Sequence, residues 1–142
     1  MLFPSLHTEH KTFTDVTLVG FEWVDVINEI DRRVKSGGEI TLLSNFGMVM
    51  KDCATITNVK DAMIKFGAKS VDCYVSFSEH SYTYGMHRDN CDVLFWQVIG
   101  KTKWITQGCE YVLSSNDLIF IPKEIDHQVT PLTPRVGISF GF

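Results

Sequence analysis

From residue 71 the chain alternates. Val71, Cys73, Val75 and Phe77 fall on one side, and Asp72, Tyr74 and Ser76 on the other. A period of two predicts a strand with one face in a core. Residues 93–99 (Val-Leu-Phe-Trp-Gln-Val-Ile) are apolar with one exception and predict a strand buried on both faces. Shorter strand patterns follow at 103–106, 111–113, 118–121, 127–130 and 136–142, with turn residues at 107–108, 114–117 and 131–134. Short strands so closely spaced indicate a closed sandwich or barrel.

The first half reads differently. Residues 12–20 are rich in β-branched types and predict a strand stopped by Gly20. Trp23, Val26, Ile27, Ile30 and Val34 then recur at helical spacing, with Arg32, Arg33 and Lys35 in the last turn and Gly37-Gly38 as the stop. Short strands are expected at 39–43 and 48–50. A second helix is expected from a Thr57 cap, with Val59, Ala62, Met63 and Phe66 as its apolar stripe and Gly67 as its end. One-sided stripes of this kind suit helices lying on the outside of a sheet. The expected fold is mainly β: a barrel core in residues 70–142, and a prelude in 1–69 whose two helices pack outside it. No repeat, low-complexity tract or linker interrupts the chain, so 1–142 reads as one domain.

Composition narrows the function classes. With 142 residues, 44% hydrophobic and 21% charged, the chain can bury a core without staples. A net charge of -4 without a basic cluster disfavours nucleic acid and anionic membranes as partners. No apolar run approaches the roughly 20 residues of a membrane span. The first residues lack the pattern of a signal peptide, so a cytoplasmic protein is expected. Cys53, Cys73, Cys91 and Cys109 are scattered without a Cys-x-x-Cys pair, which fits reduced thiols.

The candidate chemistry lies between residues 85 and 127. On an extended chain, residues i and i+2 share a face, so His87 and Asp89 point one way and Arg88 the other. His127 follows an apolar run and a turn at Pro122, and a returning strand there can bring its imidazole over the pair. Two imidazoles and one carboxylate on one face of an iron leave the opposite positions open for substrate and oxygen. His87, Asp89 and His127 are therefore the expected metal ligands and catalytic centre. His7, His10 and His80 have no such partner pattern.

The stretch His87-x-Asp89…Asp92-Val-Leu-Phe-Trp-Gln97-Val-x-Gly100-x-x-x-Trp104 resembles the central motif of the JmjC-type, cupin-like oxygenases. Downstream, Asn116, Pro122, Glu124 and His127 keep the spacing of the second cupin motif, with Asn116 and Glu124 where that motif has glycines. The resemblance covers residues 70–142. It implies a double-stranded β-helix (a cupin or jelly-roll barrel), Fe(II) at the three ligands, 2-oxoglutarate as co-substrate, and O2. His87-x-Asp89 in place of His-x-His favours the oxygenase branch. In such enzymes a basic residue anchors the distal carboxylate of the co-substrate. Thr102 stands at one position used for this, flanked by Lys101 and Lys103, which face away from a barrel interior. Arg135 stands at the other, on the final strand with Ser139 on its face, and its guanidinium fork suits a carboxylate. The implied co-substrate contacts are thus Arg135, with Ser139, Thr102, Tyr74 and Gln97. The implied activity is hydroxylation of a C–H bond in a peptide side chain or small metabolite. Two other readings share the ligands: a metal cupin that works without 2-oxoglutarate, as dioxygenase or isomerase, and a non-catalytic ligand-binding cupin.

Overall fold

The computed structural model describes residues 7–13 and 20–142. In chain order it contains β1 (Glu9–Thr12), α1 (Trp23–Ser36), β2 (Thr41–Leu43), β3 (Gly47–Met50), α2 (Thr57–Phe66) and β4 (Ser70–Ser76). These are followed by β5 (Val93–Ile99), β6 (Thr102–Thr106), β7 (Cys109–Leu113), β8 (Asp117–Ile121), β9 (His127–Pro131) and β10 (Arg135–Gly141). A seven-stranded sheet runs β1-β8-β5-β10-β4-β3-β2, and a three-stranded sheet runs β7-β6-β9. Every pairing is antiparallel. The fold is mainly β, with the two helices on one side.

The alternation in sequence decides which face goes where. Val71, Cys73 and Val75 of β4, Leu94, Trp96 and Val98 of β5, and Val136, Ile138 and Phe140 of β10 join one core with Val26 of α1 and Val59, Ala62 and Phe66 of α2. Aromatic edge contacts fix the layer: Phe66 meets Phe140 at 5.2 Å and Phe13 at 5.6 Å, and Phe13 meets Trp96 at 5.6 Å. The opposite face of the large sheet turns to the small one. Phe95, Ile119 and Ile121 from the first and Trp104 from the second form that inner core with Leu113. Strand β5 is buried on both faces because it stands between the two cores.

Several expectations change. The strand expected over 12–20 lies largely outside the described residues; what is described is β1, an edge strand ending at Thr12, paired to β8. On α1 the buried positions are Val26, Glu29 and Arg33, while Ile27 and Val34 are exposed. The reason is polar: Arg33 reaches inward to the carbonyls of Glu39 and Lys51 and pairs with Glu29 at 3.0 Å, and Thr55 donates to the same Glu29. A buried ion pair that is fully hydrogen-bonded rotates the inward face away from the apolar stripe. Helix α2 begins at Thr57, with Ile56 as its cap residue and no side-chain capping bond. Among the described residues no helix is long and apolar enough to cross a membrane.

Candidate metal centre

Strand β9 and the segment that connects β4 to β5 meet at one point. His87 and His127 face each other as an antiparallel pair, their amides donating to each other's carbonyls at 3.0 and 2.8 Å. Two residues on, the Glu124 amide donates to the Asp89 carbonyl at 2.8 Å. Cross-strand pairing puts the two imidazoles side by side, with ring centroids 4.4 Å apart, and the i+2 step brings Asp89 to the same face. One ligand atom from each of His87, Asp89 and His127 lies within 4.8 Å of the others.

The donors are aimed as well as gathered. The Nδ1 of His87 is 2.8 Å from the Gly85 carbonyl, and that of His127 is 2.9 Å from the Ile125 carbonyl. With Nδ1–H bonded to the backbone, Nε2 is the ring atom left to face the centre, where its lone pair is available to a metal. His127 Nε2 lies 3.3 Å from Asp89 Oδ2, and this neighbour holds the Asp89 carboxyl below the usual carboxylate range. The ring of Trp104 stacks on His127 (5.7 Å, 19°), and Tyr84 meets His87 edge-on. Asn116 and Glu124, which stand where the resembled motif has glycines, have φ of 72° and 64°. Both keep the left-handed backbone that glycine adopts without strain.

The centre opens into a small, partly open cavity between the sheets. Tyr74, Arg135 and Ser139 reach it from the large sheet, and Trp104 and Val129 from the small one. Arg135 is the unusual member. It is 4% exposed; its Nε donates to Ser76 Oγ at 3.0 Å, and its Nη1 has no hydrogen-bond partner. No acidic side chain among the described residues pairs with it, and the guanidinium lies 6.0 Å above the Phe95 ring. Burial pushes its pKa down to about 10. Beside it, Gly137 must remain side-chain-free, because a Cβ there would overlap the Phe95 ring. Burial likewise pushes the Tyr74 phenol up.

Of the residues singled out in the sequence, His87, Asp89, His127, Tyr74, Arg135 and Ser139 come together at this cavity. Gln97 and Thr102 do not line it. Both are buried and bonded to one another: Thr102 Oγ1 donates to Gln97 Oε1 at 2.9 Å and accepts from Trp104 Nε1 at 3.1 Å. Gln97 Nε2 completes the relay on the Ile99 carbonyl. Their visible role is to hold Trp104, and through it the His127 ring. Ser76, the partner of Arg135, was not singled out, although it shares the polar face of its strand with Tyr74.

No protein-family model matches the chain, and no curated protein matches it. Solved structures do. YcfD, a ribosomal oxygenase from Escherichia coli in complex with cobalt and 2-oxoglutarate, superposes with a TM-score of 0.63 at 17% identity, over 71% of this chain and 33% of that one. The fold is a cupin fold. Salicylate 1,2-dioxygenase from Pseudoaminobacter salicylatoxidans, solved with gentisate, is also similar, with a TM-score of 0.58 at 10% identity over 85% of this chain and 32% of that one. The chain spans about a third of the length of each of these proteins, and at such identities the likeness concerns the fold.

Proposed function

We propose that this cupin-fold chain is an Fe(II)- and 2-oxoglutarate-dependent dioxygenase that hydroxylates a C–H bond of a small metabolite or peptide side chain. The observation that carries the reading is Arg135. A buried guanidinium with an unsatisfied Nη1, in the cavity that also holds two histidines and a carboxylate, has the chemistry of a site awaiting an anion. The three ligands fit a divalent iron, whose preferred donors include two imidazoles and one carboxylate on a shared face. The cobalt and 2-oxoglutarate held by YcfD supply a precedent on this fold.

In this reading His87, Asp89 and His127 hold the metal, and Arg135 grips the distal carboxylate of the co-substrate, with Ser139 and the Tyr74 hydroxyl beside it. When bound, the pair supplies oxygen activation: substrate, O2 and 2-oxoglutarate give hydroxylated substrate, succinate and CO2. The backbone-anchored imidazoles keep Nε2 in the coordinating tautomer, so little rearrangement is needed on loading. The aromatic and aliphatic walls formed by Val93, Phe95, Trp104 and Val129 exclude water from the reacting face.

The decisive experiment is anaerobic titration of the Fe(II)-loaded protein with 2-oxoglutarate, followed by a succinate-release screen on admitting air. Binding lost in Arg135→Met, together with succinate formation lost in Asp89→Ala, supports the reading. A protein that binds iron but neither binds nor consumes 2-oxoglutarate belongs instead with metal cupins that act without it.

A further inference from the structure

A second space reaches two of the three ligands, His87 and Asp89, from outside. Tyr74, Tyr84, His87 and Asp89 line both the inner cavity and an outer groove; Val49, Lys51 and Asp72 belong to the groove alone. His87 and Asp89 therefore stand at the junction of two chambers, while His127 faces the inner one alone. The inner one ends on a single buried cation, Arg135. The outer one offers one cation and one anion that the metal chemistry leaves unused.

The sheet register explains why these two charges adjoin. Strand β3 pairs with β4 through Val49 with Tyr74 and Met50 with Cys73, so the next step places Lys51 beside Asp72 on the face that carries Tyr74. Cross-strand neighbours of this kind stand about 5 Å apart at Cβ. No ion pair within 4 Å joins them, although the Lys51 charge is near enough to favour the Asp72 carboxylate. Asp72 is half-buried, and its carboxylate accepts one backbone bond, from the Asp52 amide at 3.2 Å. Burial raises its carboxyl above the usual range, outweighing the Asp52 amide and the charges of Lys51 and Arg33, which act the other way. The Lys51 side chain is exposed at the groove rim.

A ligand that answers both groups must carry a cation and a carboxylate close together. An internal peptide residue has neither on its main chain, whereas a free α-amino acid has both on one carbon. We infer that the primary substrate is a small zwitterion of the α-amino-acid type. Asp72 receives its ammonium and Lys51 its carboxylate, while its side chain passes between Tyr74 and Tyr84 toward His87 and Asp89. This assignment rests on the oxygenase reading for its chemistry, but the binding it requires can be measured separately.

The test is calorimetric titration of the protein, both metal-free and loaded anaerobically with Co(II) and 2-oxoglutarate. The probes are the free L-amino acids and the corresponding N-acetyl amides. At least one free amino acid is expected to bind, with its neutral derivative weaker by at least about tenfold, the scale of one charged hydrogen bond. Asp72→Asn and Lys51→Met should each cost a similar factor while leaving Co(II) affinity unchanged. The inference is overturned if no free amino acid binds either form, if the N-acetyl amide binds equally well, or if neither substitution weakens a binder. Failure of the loaded protein to take up 2-oxoglutarate, with amino-acid binding intact, would sink the oxygenase reading and leave the groove assignment standing.

Discussion

Replacing Arg135 by methionine removes a buried cation that no acid among the described residues neutralises, and with it the desolvation cost of holding that charge in the barrel. The metal-free variant should melt no lower than the parent, while 2-oxoglutarate affinity falls on the order of a hundredfold or more. A marked drop in Tm would instead give Arg135 a structural role. The same residue sets a pH limit. Burial disfavours its charged form and lowers its pKa to about 10, and a bound carboxylate favours the charged form. Co-substrate affinity is therefore fully present below that value and is lost as pH rises through it. Titrations carried upward from neutral pH should show this alkaline limb, and Arg135→Met should lack it.

At the scale of elements, the relay through β5 and β6 and the turn before β9 can each be tested by one substitution. Thr102→Val leaves Gln97 Oε1 and Trp104 Nε1 buried without partners, which should cost about 1–3 kcal/mol in denaturant unfolding. Because Thr102 does not line the cavity, 2-oxoglutarate affinity should stay constant as long as Co(II) affinity does; a loss at unchanged Co(II) affinity would place its hydroxyl on the co-substrate. Glu124 holds φ of 64°, and Glu124→Gly should relieve that conformation. The strain is about 1–2 kcal/mol and the added chain entropy about half of it, so a gain of up to about 1 kcal/mol is expected as a higher urea midpoint. These elements also show where the sequence was readable. The period-two pattern of β4 assigns Val71, Cys73 and Val75 to the core, since side-chain alternation needs no tertiary information. Phe77, expected on the same face, lies past the strand end and is exposed. The nearly unbroken apolar run of β5 marks burial on both faces. The inward face of α1 was misread because Arg33 looks like solvent-facing charge until the carbonyls it caps are known. Gln97 invites a role at the co-substrate because a polar residue in an apolar strand must have a partner, and sequence does not say which; Thr102 invites one by its place two residues after Gly100 in the resembled motif.

At the scale of the whole molecule, the metal ligands come from both sides of the barrel, His127 from the small sheet and His87 and Asp89 from the segment that connects the two strands β4 and β5. An ion that binds only the assembled triad stabilises the fold by linkage. At a hundredfold excess over Kd this amounts to about 2.7 kcal/mol, or roughly 5–10 °C in Tm. Co(II) added to chelated protein should produce that shift, and Asp89→Ala should abolish it.

His87 and His127 are joined twice over, by reciprocal amide bonds and, when an ion is bound, through their rings. The ion then acts as a clasp on the last rung of the ladder, holding shut a mouth that only a few backbone bonds otherwise close. Amide hydrogen exchange should report it directly. In chelated protein the protons of His87, Glu124 and His127 should exchange faster than in the loaded form, while those of Trp96 and Ile138, deep in the large sheet, keep one slow rate in both. Metal supply would then govern how often the chamber stands open to solvent.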